Sequence, residues 1–425
     1  MNQIDAVTAD TPAHERPGLS WAEADALAET HGAAFFILDD EVFKANFTAL
    51  QNAFSDHYPD VRIGYSYKTN YTPHLCRIAY KLGGFAEVVS EMEYHLACKL
   101  GVEGPRIIFN GPYKAGEAFR DALLRGATVN LDSLRDIAML QAVTAGYPDR
   151  DFPVVLRCNF ALSDDQDTVS RFGMDVDGPE FAEALRIIGD SANTRLSGLH
   201  CHFPDRDLAS FGRRAERMVA LTQKLFPETP PETLNIGGGF FSNMPESLRQ
   251  SFHVPPATFA DYGALVGGIL SKAFDGSTGK PPTLFLEPGT AVVADTQRFY
   301  TRVLGTKIIR GRPIATVAGS IFDISPTARS VNLPVEALNQ HPGGEQHAWD
   351  IGGFTCIEGD IMTRGFTAAL AQGDFLAYRN VGSYSVVMRP PFILPANPVL
   401  VPDGDGYKVV KERETNEDVF RLFKF

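Results

Sequence analysis

The sequence has few cysteines, no long hydrophobic run and no block of positive charge. Its five cysteines are odd in number and show no CxxC spacing, so reduced thiols in a cytoplasmic protein are the simplest expectation. Without an uninterrupted apolar run of about eighteen residues, a membrane-spanning helix is not expected. The net charge of −13 and the absence of basic blocks argue against nucleic acid or an anionic membrane surface as partner.

The chain is too long for one ordinary hydrophobic core. Its 425 residues, of which 44% are hydrophobic and 21% charged, predict a globular protein of two domains. Residues 1–20 are polar and contain two prolines, which indicates a loose tail rather than a signal peptide or a membrane anchor. We expect residues 45–295 to form the first domain, and residues 296–425, joined by 21–44, to form the second.

A regular alternation of strand and helix patterns begins near residue 62. Several of the helical patterns end at a glycine, the usual residue just past a helix C-terminus. Eight repeats within about 230 residues predict an α/β fold, a (β/α)₈ TIM barrel, with a doubly wound open sheet as the alternative. The strand-like runs are 62–68, 85–89, 106–110, 128–132, 154–159, 196–203, 233–237 and 283–287.

The helical pattern fades after residue 290. Strand-like runs separated by proline- and glycine-rich turns predict a second, mostly β domain at the C-terminal end. These runs are 300–309, 314–317, 375–379, 384–388, 398–401 and 407–410.

Polar residues and glycines gather at the ends of the predicted barrel strands, which is where barrel enzymes carry their chemistry. Packing requirements alone do not account for this pattern. The residues are Lys68, Glu87, Asn110, Asp132, Arg157, Asn159, His200, His202, Gly237, Gly238, Gly239 and Glu287.

Four of these features together fit one cofactor, pyridoxal phosphate. Lys68 could form a Schiff base with its aldehyde, and Gly237-Gly-Gly239 could direct backbone N–H groups at its phosphate. Glu287 could keep the pyridine nitrogen protonated, and His202 could stack on the ring. Each feature alone has a simpler interpretation: a solvated lysine, a tight turn, a salt bridge or packed histidines. His200 and His202 could instead bind a metal, although no metal is expected.

The sequence resembles the fold-type III pyridoxal-phosphate decarboxylases, the group of diaminopimelate, ornithine and carboxynorspermidine decarboxylases. The resemblance runs from about residue 33 to residue 392, with the motifs in the family's order and spacing. The motifs are Tyr65-Ser-Tyr-Lys68, Ser170-Arg-Phe-Gly173, Gly198-Leu-His-Cys-His202, Asn235-Ile-Gly-Gly-Gly-Phe240, Glu287-Pro-Gly289, Gly353-Phe-Thr-Cys-Ile-Glu-Gly-Asp360 and Gly382-Ser-Tyr384.

The resemblance implies an alanine racemase-like two-domain architecture and a head-to-tail homodimer with shared active sites. It implies that Lys68 is the Schiff-base lysine, that His202 stacks on the cofactor ring, and that Cys356, contributed across the dimer, donates a proton. Cofactor binding is expected from Lys68, Glu87, Arg157, His202, Gly237, Gly238, Gly239, Glu287 and Tyr384. Binding of the amino-acid substrate is expected from Cys356, Glu358, Asp360 and Arg389.

Four positions depart from the family pattern, one of them being Glu87, which stands where many members have aspartate. Thr290 stands where the family has a phosphate-contacting arginine, and Phe203-Pro204-Asp205 replaces the segment with a phosphate-binding serine. Ile357 replaces the acidic residue that meets the distal amine of diaminopimelate or ornithine. We therefore expect neither amino acid to be the preferred substrate, and favour a carboxylated polyamine or a siderophore or other secondary-metabolite precursor.

Two other functions fit a related fold. One is an amino-acid racemase, but racemases of this barrel type place an arginine against the pyridine nitrogen, whereas Glu287 favours the electron-sink chemistry of decarboxylation. The other is a non-catalytic protein that binds pyridoxal phosphate. Such proteins resemble the barrel alone, so the β domain with Cys356 and Tyr384 argues against it.

Overall fold

The structure is a computed structural model that describes residues 16–162 and 169–425. The chain separates into two compact units. One contains the described part of Met1–Ala45 with Ser242–Pro255 and Val293–Phe425, and the other contains Asn46–Phe241 and Pro256–Val292. Of the predicted N-terminal tail, residues 1–15 lie outside the described residues. Within the described ranges, no helix is long and apolar enough to cross a membrane.

The second unit is a closed barrel of eight parallel strands, as the sequence predicted. The first strand pairs with the last, Val61–Ser66 with Thr283–Leu286, which closes the barrel and excludes an open sheet. Five of the six residues of the first strand are buried, because in a barrel one strand face meets the interior and the other meets the helices. The strands are Val61–Ser66, Phe85–Val88, Ile107–Phe109, Thr128–Leu131, Phe152–Asn159, Thr194–His200, Thr233–Asn235 and Thr283–Leu286.

Helices follow the barrel strands, and polar side chains mark where several of them begin. Ser90 accepts a hydrogen bond from the Glu93 N–H at the start of Glu91–Lys99, and Asp207 does the same for Ser210 at the start of Leu208–Leu225. Such caps satisfy N–H groups that have no partner inside the helix. The main barrel helices are Pro73–Lys81, Glu91–Lys99, Gly116–Leu124, Leu134–Thr144, Pro179–Asp190, Leu208–Leu225 and Gly268–Phe274, the last preceded by Phe259–Tyr262 and a π-helical turn at Gly263–Gly267.

The first unit is built on a mixed β-sheet. Its central strand, Ala34–Leu38, is fully buried and pairs antiparallel with Gln297–Ile309 and parallel with Val399–Asp403. The order along the sheet is Ile361–Ala368, His347–Gly352, Arg312–Val317, Gln297–Ile309, Ala34–Leu38, Val399–Asp403 and Gly406–Lys411, with Phe375–Tyr378 also paired to Gln297–Ile309 and to Val335–Leu338. The helix Trp21–His31 packs Ala24 and Ala28 into the core beside Phe35.

The sequence-based assignment of this sheet contains one error and three omissions. The strand predicted over 384–388 is wrong, because residues 383–388 form bends and turns and Tyr384 has a φ of 60° in the left-handed region. A non-glycine residue rarely adopts that conformation, and it lies outside the region of φ and ψ that strands occupy. The omitted strands are Val335–Leu338, His347–Gly352 and Ile361–Ala368.

Candidate active site

Lys68 lies just beyond the first barrel strand. The strand ends at Ser66, and Tyr67–Thr69 forms a single 3₁₀ turn, so the predicted strand was two residues too long. The Lys68 ammonium forms a salt bridge with Glu87 from the second strand and lies 3.3 Å from the Ser66 Oγ. Its side chain is about one-third exposed, whereas Glu87 is fully buried. The Lys68 amine is thus held at the strand ends, and its side chain remains partly exposed to solvent.

A side-chain amide bridges two buried carboxylates at the centre of the site. The Asn110 Nδ2 donates to an oxygen of Glu87 and to an oxygen of Glu287, each at 2.8 Å. The Asn110 Oδ1 in turn accepts from the amide of Asn130. Each carboxylate thus receives an N–H rather than facing the other directly, which lowers the cost of burying the two side by side.

Glu287 is the most completely bonded group of this network. Besides Asn110, the Asn235 Nδ2 donates to its Oε1 at 2.7 Å, and the His200 Nε2 lies 3.1 Å from its Oε2. Burial opposes ionisation of the carboxylate, but His200, the Lys68 ammonium and the Asn110 amide outweigh burial and hold the pKa of Glu287 well below its usual value. Glu287 is therefore a buried anion at neutral pH.

The two histidines of the sequence motif have different partners. His200 contacts Glu287, whereas the His202 Nδ1 accepts a hydrogen bond from the Gly238 N–H at 3.0 Å. Burial lowers the pKa of His202 well below its usual value, and the charges of Lys68 and Arg157 lower it further. His202 is thus neutral with its proton on Nε2, the tautomer that the Gly238 contact requires. Among the described residues no cluster of three or more His, Cys, Asp or Glu is placed to hold a metal.

The three glycines form a tightly packed turn after the seventh strand. Gly237 and Gly239 have φ values of 71° and 100°, which favour glycine over other residues. A Cβ at Gly238 would collide with the carbonyl oxygen of Glu287, and one at Gly237 would lie 2.7 Å from the His202 Cβ. The loop therefore lets the backbone approach the strand ends more closely than any other residue type would allow.

Two buried ion pairs complete the barrel end on the side of the fourth and fifth strands. The Arg157 guanidinium lies 3.0 Å from Asp132, and Lys114 lies 2.7 Å from Asp136, with both of these side chains fully buried. The Asp136 carboxylate also accepts from the Asp132 backbone N–H at 2.9 Å, which links the two pairs.

The Ser170-Arg-Phe-Gly173 motif is held against the Arg157 pair. The Gly173 N–H donates to Asp132 at 3.2 Å, and the Arg157 guanidinium lies 4.8 Å from the centre of the Phe172 ring. The Asn159 amide donates to the carbonyl oxygens of Ser170 and Phe172 at 2.7 and 2.8 Å. Asp132 and Asn159, both noted as strand-end residues, therefore position this segment.

The late cysteine motif belongs to the first unit and forms a loop organised by Asp360. The Asp360 carboxylate accepts from the Ile321 N–H at 2.7 Å, from Ser320 at 3.0 Å and from both the N–H and the hydroxyl of Thr355. Asp360 is buried, whereas Cys356 and Glu358 are exposed. The loop thus presents Cys356 and Glu358, while Asp360 fixes its shape.

Arg389 and Tyr384, also in the first unit, have distinct surroundings. The Arg389 Nε lies 2.6 Å from the buried carboxylate of Asp323, and its Nη1 donates to two backbone carbonyls. An arginine so engaged is poorly placed to serve as a freely available cation for a substrate. Tyr384 lies in the turn where Gly382 packs against the backbone of Val293, and its φ of 60° lies in the left-handed region.

Several residues of the network were not singled out from the sequence. Asn130 is buried between Val129 and Leu131, so its amide was detectable as a polar residue on a buried strand. Asn235 opens a motif quoted from the sequence, but it was given no role there. Arg214 lies on the buried face of Leu208–Leu225, with Phe211, Ala215 and Met218 at helical spacing. A charged residue on an apolar helix face is a signal that could have been recognised.

Comparison with known proteins places this barrel in a family. Residues 44–294 match the family model described as pyridoxal-dependent decarboxylase, pyridoxal binding domain. Among curated proteins, the diaminopimelate decarboxylase of Aquifex aeolicus is 26% identical over 410 residues, covering 91% of each chain. That of Bacillus subtilis is 25% identical, covering 93% of this chain and 92% of its own.

Solved structures share the whole two-unit fold. A diaminopimelate decarboxylase from M. jannaschi superposes with a TM-score of 0.85 at 22% identity, covering 95% of this chain and 94% of its own. A lysine/ornithine decarboxylase from Vibrio vulnificus, complexed with putrescine, gives a TM-score of 0.72 at 20% identity, covering 90% and 98%. The family model spans more than half of the chain. The chain therefore belongs to the pyridoxal-dependent decarboxylases, amino-acid decarboxylases whose cofactor is pyridoxal phosphate.

Proposed function

We propose that the barrel strand ends hold pyridoxal phosphate with its aldehyde at Lys68, its ring beside His202 and its pyridine nitrogen at Glu287. The observation that carries this proposal is the continuous chain from Lys68 through Glu87 and Asn110 to Glu287. This chain of contacts joins the Lys68 amine to the separate carboxylate of Glu287 at one end of the barrel. Those are the two groups that the two ends of a pyridoxal ring require.

The residues present fit the cofactor. The Gly237–Gly239 turn offers closely approaching backbone where a side chain would collide, which suits a phosphate. His202 is neutral, so it offers an uncharged aromatic face. Arg157 and Glu87, both at strand ends, are the remaining barrel residues that we assign to cofactor binding, and Tyr384 is the residue that we assign from the first unit.

The chemistry follows from the charges of these side chains. When bound, the cofactor supplies an electron sink for the pair released as the bond between the α-carbon and its carboxylate breaks. The ionised Glu287 stabilises a proton on the facing nitrogen, which makes that sink effective. The Lys68 amine would hold the cofactor aldehyde as a Schiff base, and the substrate's amine would displace it, leaving Lys68 as a free amine. The thiol of Cys356 then returns a proton to the α-carbon, a role that fits its exposure on the loop fixed by Asp360.

We further propose that the enzyme is a cytoplasmic homodimer in which Cys356 serves the barrel of the partner subunit. Support comes from the motif resemblance. Complementation between two inactive variants in a mixed dimer tests directly whether Cys356 acts in the barrel of the partner subunit.

The substrate we propose is an amino acid whose distal end is larger than a simple ammonium group. Ile357 is exposed beside Cys356, at the position where an acidic residue would pair with a distal amine. A distal ammonium facing an isoleucine would have no carboxylate to bind. Leaving such a group without its hydrogen-bonded partner typically costs about 1–3 kcal/mol or more. Because Asp360 and Arg389 are engaged within their own unit, Glu358 is the charged group of this set that is left to select the substrate.

The test is a panel of amino acids assayed for CO₂ release. It contains diaminopimelate, ornithine, lysine, carboxylated polyamines and diamino acids acylated at the distal amine. We expect a conjugated member to give the highest kcat/KM. The matched variant Ile357→Glu should raise kcat/KM for diaminopimelate or ornithine and lower it for the conjugates. A wild-type kcat/KM of about 10⁴ M⁻¹s⁻¹ or more for diaminopimelate or ornithine, above all other members, would refute the proposal.

A further inference from the structure

Arg214 is a fully buried cation directly beneath the glycine turn. Its side chain has no exposed surface. The guanidinium donates to the carbonyl oxygens of Gly238 at 3.0 Å and Phe203 at 3.1 Å, and also to that of Asp205. Its planar face lies 4.2 Å from the centre of the Phe211 ring. One arginine thus connects the turn after His202 to the turn after the seventh strand.

None of these three acceptors is a carboxylate, so none of them compensates the positive charge of Arg214. All three acceptors that the described residues supply are neutral carbonyl groups, and the buried Nε has no hydrogen-bond partner among them. Burial lowers the pKa of Arg214, and the charges of Asp205 and Asp207 offset that effect only in part. A buried cation is costly unless an anion lies close to it. The site is therefore built to receive negative charge.

The hydrogen bonds also orient the surrounding backbone. In a trans peptide the N–H points opposite to the carbonyl, so the carbonyl of Gly238, turned toward Arg214, directs the N–H of Gly239 away from it. The carbonyl of Asp205 does the same for the N–H of Arg206. A Cβ at Gly239 would lie 3.8 Å from the Arg214 Nη1 and 3.4 Å from the Asp205 carbonyl. Gly239 therefore lies over the guanidinium, and it has no side chain that would cover its backbone there.

We propose that Arg214 is a positioning residue for the cofactor phosphate: it holds the carbonyl groups of Gly238, Phe203 and Asp205 so that the N–H of Gly239 faces the phosphate, and it supplies buried positive charge from below. This inference rests on the proposed function. It also accounts for two departures in the sequence, because the phosphate-contacting arginine is replaced by Thr290 and the phosphate-binding serine is lost from the segment at 203–205. Arg214, on the helix that follows the 203–205 segment, would supply the positive charge that the replaced arginine lacks here.

The experiment compares the binding of pyridoxal phosphate with that of pyridoxal, which lacks the phosphate. Dissociation constants are measured on the full-length apoenzyme by absorbance and fluorescence titration, for wild type, Arg214→Met, Arg214→Lys and Arg213→Met. Arg213 is the adjacent residue on the same helix and is exposed, so its variant is the matched control. Circular dichroism and thermal unfolding of each apoenzyme measure folding separately.

We expect wild type to prefer pyridoxal phosphate strongly, and Arg214→Met to lose about 100-fold in affinity for it with less than about threefold change for pyridoxal. Arg214→Lys should lie between, because it keeps the charge but not the three-carbonyl geometry, and Arg213→Met should match wild type. Equal losses for both ligands, or none, in a folded Arg214→Met or Arg214→Lys variant would overturn the inference. A wild type that does not distinguish the two ligands would instead overturn the proposed phosphate site itself.

Discussion

Replacing Asn110 by aspartate tests the amide bridge at the centre of the site. The change keeps the size of the side chain but substitutes an acceptor for the amide that donates to Glu87 and Glu287 at 2.8 Å. An ionised carboxylate at that distance from another would cost about 6 kcal/mol per contact at an effective dielectric constant of about 20. Protonating an aspartate of ordinary pKa at pH 7 costs about 4 kcal/mol. The introduced group is therefore protonated in the folded protein.

The loss in the free energy of unfolding, and its pH dependence, both follow from the proton on the introduced aspartate. One O–H can donate to only one of the two carboxylates, so a hydrogen bond to a charged group, about 1.5–3 kcal/mol, is lost as well. We expect Asn110→Asp to reduce the free energy of unfolding by about 5–7 kcal/mol at pH 7. Between pH 5 and 7 the folded variant holds a proton that the unfolded chain has released. The deficit relative to wild type therefore grows by about 1.4 kcal/mol per pH unit as the pH rises.

Urea unfolding of the apoenzyme at pH 5, 6 and 7 measures this deficit. The control is Asn52→Asp, an asparagine-to-aspartate change at an exposed position of the helix Asp40–Ser55, which should show almost no slope. If the deficit of Asn110→Asp is absent, or is the same at pH 5 and 7, the two carboxylates are not held by Asn110 in the manner described.

Three further outcomes are expected. Borohydride treatment of the holoenzyme should attach the reduced cofactor to the peptide containing Lys68, and Lys68→Ala should abolish this attachment; labelling at another lysine would refute the assignment. Glu287→Gln should lower kcat by about 10²–10³-fold while the apoenzyme remains folded, and a near-normal kcat would show that the carboxylate does not serve the electron sink. Mixed subunits of Lys68→Ala and Cys356→Ala, each inactive alone, should recover activity on exchange, because one site of each mixed dimer is intact. Exchange verified by mass without recovered activity would place both residues in the site of one chain.

The barrel could be predicted from the sequence because its strands are buried on both faces. Runs such as Thr283–Leu286 are apolar after their first residue and are followed by a charged residue and a Pro-Gly turn. All eight strands lie where these runs indicated. The β unit was harder, since the burial of Ile361–Ala368 does not alternate from one residue to the next and the strand contains a glycine with positive φ. Tyr384–Met388 has strand-like composition, but its backbone conformation is not encoded in hydrophobicity.

The residue types at the site were predictable, but their pairing was not. Lys68, Glu287 and the glycines were identifiable because each stands at a strand end in an otherwise apolar context. That Asn110 contacts both carboxylates depends on which strands are neighbours and on side-chain direction, and no local pattern contains this information. His200 and His202 share a strand end yet have different partners, because the Gly238 N–H reaches only the second.

The balance of charge around the network explains why this barrel suits decarboxylation better than racemisation. The strand ends hold two cations, Lys68 and Arg157, and three carboxylates, Glu87, Asp132 and Glu287. Leaving aside the histidines and Arg214, whose charge we assign to the phosphate, the set carries one excess negative charge, which in the proposed arrangement would be balanced by a proton on the ring nitrogen at Glu287. An arginine in place of Glu287 would reverse this balance and favour an unprotonated nitrogen, which is a weaker electron sink. The amides of Asn110 and Asn235 keep the excess charge on Glu287 by donating to it without neutralising it.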